Sequence, residues 1–260
     1  MEDGMRALVL EGGGAKGCYQ MGAYKALSEL KVEFDYVVGT SIGAINGAMI
    51  CQGDWKVAYD LWENISYCDV LDLPDEDMRS FLNDRITMDN VKDKFNFVKN
   101  VIENRGIGVS AYKNLLDKYI DEDRVRGSSM KFGLNTFDVK NLKTLNLFID
   151  DIEDGRLKDY LRASSNLIVF KQDKIDGKRL IDGGYLENNP YKMVDELCDE
   201  IVIVSLKPWA LSHELKKNPK YTIIKSFDEN FPNMLDFEKE KMRYGLKLGY
   251  DDTMRLYSKL

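Results

Sequence analysis

Twice in its first fifty residues the chain runs a short apolar strand into glycines and then into a helical pattern. In the first unit a strand over Arg6 to Glu11, carried by Ala7-Leu8-Val9-Leu10, meets Gly12-Gly13-Gly14-Ala15-Lys16-Gly17. A helical pattern then runs from about Ala15 to Leu30. In the second a strand over roughly Phe34 to Val38 meets Gly39-Thr40-Ser41-Ile42-Gly43, and a helix runs from near Ile42 past Met49. Strands that alternate with helices through tight turns predict an α/β fold with a parallel sheet.

The second unit lies in a stretch, Tyr36 to Gly53, with no charged residue over 18 positions, and Gly39, Gly43 and Gly47 stand four apart in it. That spacing also describes a packing face of membrane helices. Thr40, Ser41, Asn46, Gln52 and four glycines make the stretch too polar to span a bilayer. It divides instead into strand, turn and helix, and small residues four apart let that helix lie close against a sheet.

The remainder reads more coarsely. Asp54 to Asp123 is charged and mostly helical, with Val91, Phe95, Val98 and Ile102 at helical spacing. Met130 to Val139 and Thr144 to Ile149 form a hairpin around Asn141, and Leu157 to Ser164 is helical. Asp173 to Lys178 is a strand turning at Asp176-Gly177. Ile201-Val202-Ile203-Val204 suits a parallel strand buried on both faces, and after Pro208 the chain turns charged and helical to its end. With no repeat and no linker, residues 1–260 read as one domain.

Charge and cysteines narrow the function. Lys plus Arg is 37 against 44 Asp plus Glu, a net charge of −7, which argues against the broad basic face that nucleic acid requires. Local patches can differ from that total, so a membrane surface stays open as a partner. Cys18, Cys51, Cys68 and Cys198 are scattered and suggest neither a disulfide framework nor a zinc site. No His/Cys cluster and no EF-hand spacing is present, so no metal dependence is expected. Met1-Glu2-Asp3-Gly4 lacks the basic start and apolar run of a signal peptide, which makes the cytoplasm the expected compartment.

Gly12, Gly14 and Gly17 satisfy GxGxxG, the dinucleotide fingerprint. The acid that should close the second strand is missing, because Glu33 and Asp35 stand at its start. No GK[ST] follows, so the run is not a P-loop. Backbone N–H groups at a strand-to-helix turn can hold a phosphate or the oxyanion of an acyl-transfer intermediate. A nucleotide- or phosphate-binding α/β module using the Gly12–Gly17 turn therefore stands beside an enzyme, and a plain tight turn beside both.

Gly39-Thr40-Ser41-Ile42-Gly43 is a GxSxG between an apolar strand and an apolar helix, the context that exposes a nucleophilic serine in a strained turn. The alternative is a buried turn with Ser41 as helix N-cap. The single histidine, His213, lies in the polar run Leu211 to Lys217 and reads as a solvated surface residue. Asp182-Gly183-Gly184 follows the strand end Leu180-Ile181 and is the better candidate for a base, although taken alone it reads first as a β-turn, Asp-Gly being among the commonest turn pairs.

Together, Gly12 to Gly17, Gly39 to Gly43 and Asp182 to Gly184 stand in the order of patatin-like phospholipases, and the chain resembles that family over nearly its whole length, least from Ser66 to Lys99. Gly43 to Gly47, Ala163-Ser164-Ser165 and Gly249-Tyr250-Asp251-Asp252 are similar too. The resemblance implies a three-layer α/β/α fold with a mostly parallel central sheet and a Ser–Asp dyad without histidine. Ser41 would be nucleophile and Asp182 base. Gly12, Gly13 and Gly14, with the N–H of Ile42, would form the oxyanion hole. Lys16 matches the family's basic position, and Gly17, Gly39, Gly43, Gly183 and Gly184 support the motifs. The implied activity is hydrolysis of carboxyl esters of lipids, often phospholipids or lysophospholipids, without metal or cofactor. The implied partners are a lipid or fatty-acyl ester and, transiently, a membrane or micelle surface. The family often has a proline after its Ala-Ser pair, and Asn166 to Val169 has none.

A lipid needs an apolar channel. Residues 77–105, with Met78, Phe81, Leu82, Ile86, Met88, Phe95, Phe97 and Val98, read either as a cap with an apolar inner face or as surface helix packed on the core. Phe227, Phe231, Met234, Leu235 and Phe237 are a second candidate for the channel mouth, with packing as the competing role.

Overall fold

The computed structural model describes residues 4–70, 110–166, 175 and 177–259. The proposed cap at 77–105 lies outside the described residues, as do Asp173, Lys174 and Asp176 of the expected strand. Ile175 and Lys178 form an isolated antiparallel bridge.

Along the chain come β1 (Arg6–Leu10), a 3-10 turn (Gly14–Lys16), α1 (Gly17–Glu29), β2 (Tyr36–Thr40), α2 (Ile42–Cys51), α3 (Trp55–Asn64) and the short α4 (Tyr67–Val70). Then follow α5 (Ser110–Tyr119), α6 (Glu122–Arg126), β3 (Lys131–Asp138), β4 (Lys143–Phe148), α7 (Leu157–Ser164) and β5 (Leu180–Asp182). The C-terminal part holds β6 (Glu200–Ser205), α8 (His213–Lys217), β7 (Tyr221–Lys225) and α9 (Lys239–Tyr257). The second strand starts two residues later than the hydropathy suggested, and the Asp35 N–H donates to the Arg6 carbonyl just ahead of the regular ladder. β7 is a correction to the reading of a helical C-terminal part: Thr222-Ile223-Ile224 is a short β-branched run that pairs with β6.

The seven strands form one sheet in the order β4-β3-β2-β1-β6-β7, with β5 also on β3. β2, β1, β6 and β7 run parallel, as does β3 on β2, whereas β4 and β5 lie antiparallel to β3. The expected mostly parallel sheet is therefore present.

Period-two alternation divides the core. Leu8, Leu10, Val37, Phe132, Leu134, Val202 and Val204 face the larger core, with residues of α1, α2, α3 and α9. Ala7, Val9, Val38, Ile201 and Ile203 face a thinner layer made by Met193, Val194, Leu211 and Leu215. α9 lies against α1 at very close range: a Cβ on Gly22 would stand 1.9 Å from the Leu246 carbonyl oxygen, and one on Gly249 would stand 2.0 Å from that of Tyr19.

Candidate active site

The sheet itself brings the two motifs together. β2 pairs with β3 as far as Thr40 opposite Asn135. β5 pairs with the next residue of β3, Thr136, through Asp182. Because β2 is parallel and β5 antiparallel to β3, the two strands run toward one another and meet where Ser41 follows Thr40. Thr40 Oγ1 donates to Asn135 Oδ1 at 2.8 Å, and Asn135 Nδ2 to the Glu187 carbonyl at 2.8 Å, which fastens this junction.

Ser41 sits at φ 55° and ψ −125°, a region that side-chain-bearing residues rarely occupy. Its N–H donates to Ser164 Oγ at 2.8 Å, so α7 holds the turn from behind. Its hydroxyl makes no cap bond to α2. The flanking glycines are there for space: a Cβ on Gly39 would stand 2.3 Å from Gly43 backbone, and one on Gly43 would stand 2.2 Å from the Leu10 carbonyl oxygen. α2 thus presses on the end of β1, the close approach that its small-residue spacing suggested.

Asp182 is 5% exposed. Burial pushes its carboxyl above the ordinary aspartate range, while a hydrogen bond with the Ser41 side chain, the Gly184 N–H and the charge of Lys207 oppose that rise. The Gly184 N–H reaches Oδ1 at 2.7 Å. A Cβ on Gly183 would stand 2.2 Å from Asn135 Oδ1, so the double glycine lets this turn close on the β3 end.

The glycine run lies beside Ser41, where a Cβ on Gly12 would be 3.2 Å from Ser41 Cβ. Gly12 and Asn188 exchange two bonds: the Gly12 N–H donates to the Asn188 carbonyl at 3.3 Å, and Asn188 Nδ2 donates to the Gly12 carbonyl at 3.1 Å. The Gly12 N–H is therefore committed, which corrects its place among free oxyanion donors. The N–H groups of Gly13, Gly14 and Ile42 have no partner among the described residues and line the same cavity as Ser41. Gly14 has φ 56°, and Ala15 N–H donates to the Met234 carbonyl at 2.8 Å, strapping the 234–237 segment onto this turn.

Four supports carried no separate signal in the spacing of the motifs. Glu11, 2% exposed, accepts from Asn189 Nδ2, Ser205 Oγ and the N–H groups of Leu206 and Lys207 at 2.8–3.0 Å. Burial raises its carboxyl and these four donors counter the rise. Asn188 and Ser164 hold the two turns, and Lys207 lines the cavity. Glu11 read in sequence only as the end of the first strand. The other three roles depend on contacts from distant segments. A buried relay links both motifs: Gln20 Nε2 donates to the Glu11 carbonyl, Asn46 Nδ2 to Gln20 Oε1, and Trp62 Nε1 to Asn46 Oδ1.

The remaining predicted residues sort plainly. Lys16 is half-buried, with its Nζ 5.2 Å from the ring centres of Trp209 and Phe231. Burial first and Lys207 second push its ammonium below the usual lysine range. Gly17 packs against Ile42 and Trp62. His213 is exposed at the start of α8 and lines no part of the cavity. Met234, Leu235 and Phe237 line it, whereas Phe231 packs edge-on against Tyr19 and Phe227 is exposed. No group of three potential ligands that could hold a metal occurs among the described residues.

Ser41 and Asp182 open into a cavity of about 620 Å³. Its far walls are Ile45 and Met49 of α2, Leu61 and Trp62 of α3, and Leu115 and Leu116 of α5. Apolar walls with a few convergent polar groups are the usual form of a small-molecule site.

A strained serine thus stands beside a buried aspartate on the mostly parallel sheet of an α/β protein. The patatin-like phospholipase family model matches residues 8–195, and the chain belongs to that family. It is 30% identical over 200 residues to human patatin-like phospholipase domain-containing protein 6, with 76% of this chain and 13% of that protein covered. It is 30% identical over 183 residues to the lysophospholipase nte1 of Aspergillus terreus, with 70% and 10% covered. The chain thus spans about an eighth of the length of the first of these relatives and a tenth of the second. In fold it is similar to VipD from Legionella pneumophila, with a TM-score of 0.60 at 14% identity over 98% of this chain and 67% of that one.

Proposed function

We propose that the chain is a serine lipid acyl hydrolase acting on carboxyl esters of phospholipids or lysophospholipids, with Ser41 as nucleophile and Asp182 as base. The observation that carries this is the head-on meeting of β2 and β5 on β3 at the floor of an apolar cavity. Membership of the family and the lysophospholipase name of a relative support the lipid class.

The ester carbonyl sits over Ser41 with its acyl chain along the apolar walls. Ser41 Oγ forms the bond to the carbonyl carbon as its proton passes to Asp182. Negative charge collects on the carbonyl oxygen, opposite the N–H groups of Gly13, Gly14 and Ile42. The alcohol or lysolipid leaves with the proton from Asp182, giving an acyl-enzyme. Water then attacks this ester while Asp182 takes its proton, and the collapse of that intermediate frees the fatty acid and restores the serine. The raised carboxyl suits the role, because free aspartate, with a pKa near 3.9, is a weak base.

A fluorophosphonate probe tests the assignment. Covalent labelling of the chain, lost in Ser41→Ala, is expected. Thermal protection by nucleotide without labelling would replace this reading with the phosphate-binding module.

A further inference from the structure

The parallel strands all end at one edge of the sheet, and that edge carries more than the cavity. Gly12 to Gly14 follow β1, Ser41 follows β2, Lys207 and Trp209 follow β6, and Phe227 follows β7. Large apolar side chains stand in the open there. Trp209 and Leu186 are each 66% exposed, Tyr185 is 50% exposed, and Met234 is exposed as well. Tyr185 and Met234 line the cavity, Leu186 is the next residue, and Trp209 is tied to the glycine turn by Lys16.

Cations accompany them. Lys16, Lys207 and Lys225 have no carboxylate within 4 Å among the described residues, although Glu187 and Glu229 lie in the same loops. Lys225 Nζ lies 5.7 Å from the Phe227 ring centre. In a chain of net charge −7, this edge thus sets three lysines beside exposed aromatics.

We propose that this rim is a docking surface for an anionic lipid bilayer, with Trp209, Leu186 and Tyr185 entering the headgroup region and Lys16, Lys207 and Lys225 facing lipid phosphates. The inference rests on the reading of the cavity as a lipid acyl hydrolase and names the surface from which it draws substrate. Three features select this occupant. Aromatic rings with an apolar body and a polar tip settle at the bilayer interface. Lysines near an anionic surface add attraction of roughly fivefold each in partitioning. The patch also continues into the cavity, so a docked acyl chain has a path to Ser41 without crossing water.

Partitioning is measured with the full Ser41→Ala chain, which separates binding from turnover. Vesicles of phosphatidylcholine are compared with vesicles in which a third is phosphatidylglycerol. Binding to the anionic vesicles is expected to be at least about tenfold stronger and to weaken with added salt. A blue shift of the tryptophan fluorescence should accompany it and vanish in Trp209→Phe. The double variant Trp209→Ala, Leu186→Ser should bind about tenfold more weakly, yet in the Ser41 protein hydrolyse a soluble short-chain ester within twofold of the parent. Equal binding by parent and variant, or no binding to either vesicle while the soluble ester is hydrolysed, overturns the docking surface and leaves the hydrolase standing. Dimers in light scattering that the double variant dissolves, without vesicle binding, would assign the patch to a second copy. No hydrolysis of any ester by the parent would instead overturn the enzyme itself.

Discussion

The two ends of the cavity are built by different means. At the polar end each functional atom is fixed by backbone: a strained turn at Ser41, a strand end at Asp182, and a glycine turn bonded to Asn188 and Met234. At the apolar end Ile45, Met49, Leu61, Leu115 and Leu116 contribute only shape, from three separate helices. Hydrogen bonds and close backbone approaches have steep distance dependence, whereas apolar packing accepts volume-conserving exchange. The polar end should therefore fail abruptly on single-atom changes, and the apolar end should drift.

The sharpest break of this contrast is at the proposed dyad. Ser41→Ala should lower kcat/KM for a soluble ester by at least about a thousandfold with an unchanged circular dichroism spectrum, since it removes one oxygen. Asp182→Asn should be nearly as severe. Turnover above a tenth of the parent in either folded variant means that another group does the chemistry.

Met49 lies about two helical turns beyond Ser41 on α2. Met49→Phe should lower kcat/KM about tenfold for a long-chain ester but less than twofold for a short one. Equal losses on both substrates would show that the apolar end sets the geometry of the chemistry too.

Lys207 joins the two ends. Burial holds the Asp182 carboxyl above the free-aspartate range while the Lys207 charge opposes that rise, so the acid limb of kcat/KM should sit above that range and move to still higher pH in Lys207→Met. A limb that stays in place, or moves down, would separate Lys207 from the base.

The smallest effect is expected at His213. Exposed on α8 and away from the cavity, it should cost less than about threefold in kcat/KM as His213→Ala, under about 0.7 kcal/mol. A hundredfold loss in a folded protein would make the imidazole the base.

The same contrast governs what could be read from sequence. The Ser41 turn was legible because every element it needs is local: apolar strand, glycines, apolar helix. Its pairing with Asp182 came from the resemblance alone and not from local pattern, because β5 has three residues and owes its place to an antiparallel pairing with β3. Local pattern cannot show which strand a three-residue segment will join. β7 escaped for a related reason, since its five residues sit in a charged stretch and are strand only because β6 offers an edge. Gly12 looked like its neighbours in the run. Only the position of Asn188 distinguishes it, by taking its N–H. Glu11 looked like a strand terminus, and its four donors arrive from residues 189 and 205–207.

The bond from Ser41 N–H to Ser164 Oγ spans 123 residues, and Asp182 comes later still. A ribosome delivers Ser41 long before either partner, so an emerging chain carries the serine with no aspartate beside it and no clamp behind its turn. The two residues are brought together only by the pairing of β5 with β3. On the proposed mechanism, fragments and stalled chains that end before Asp182 would carry no working site.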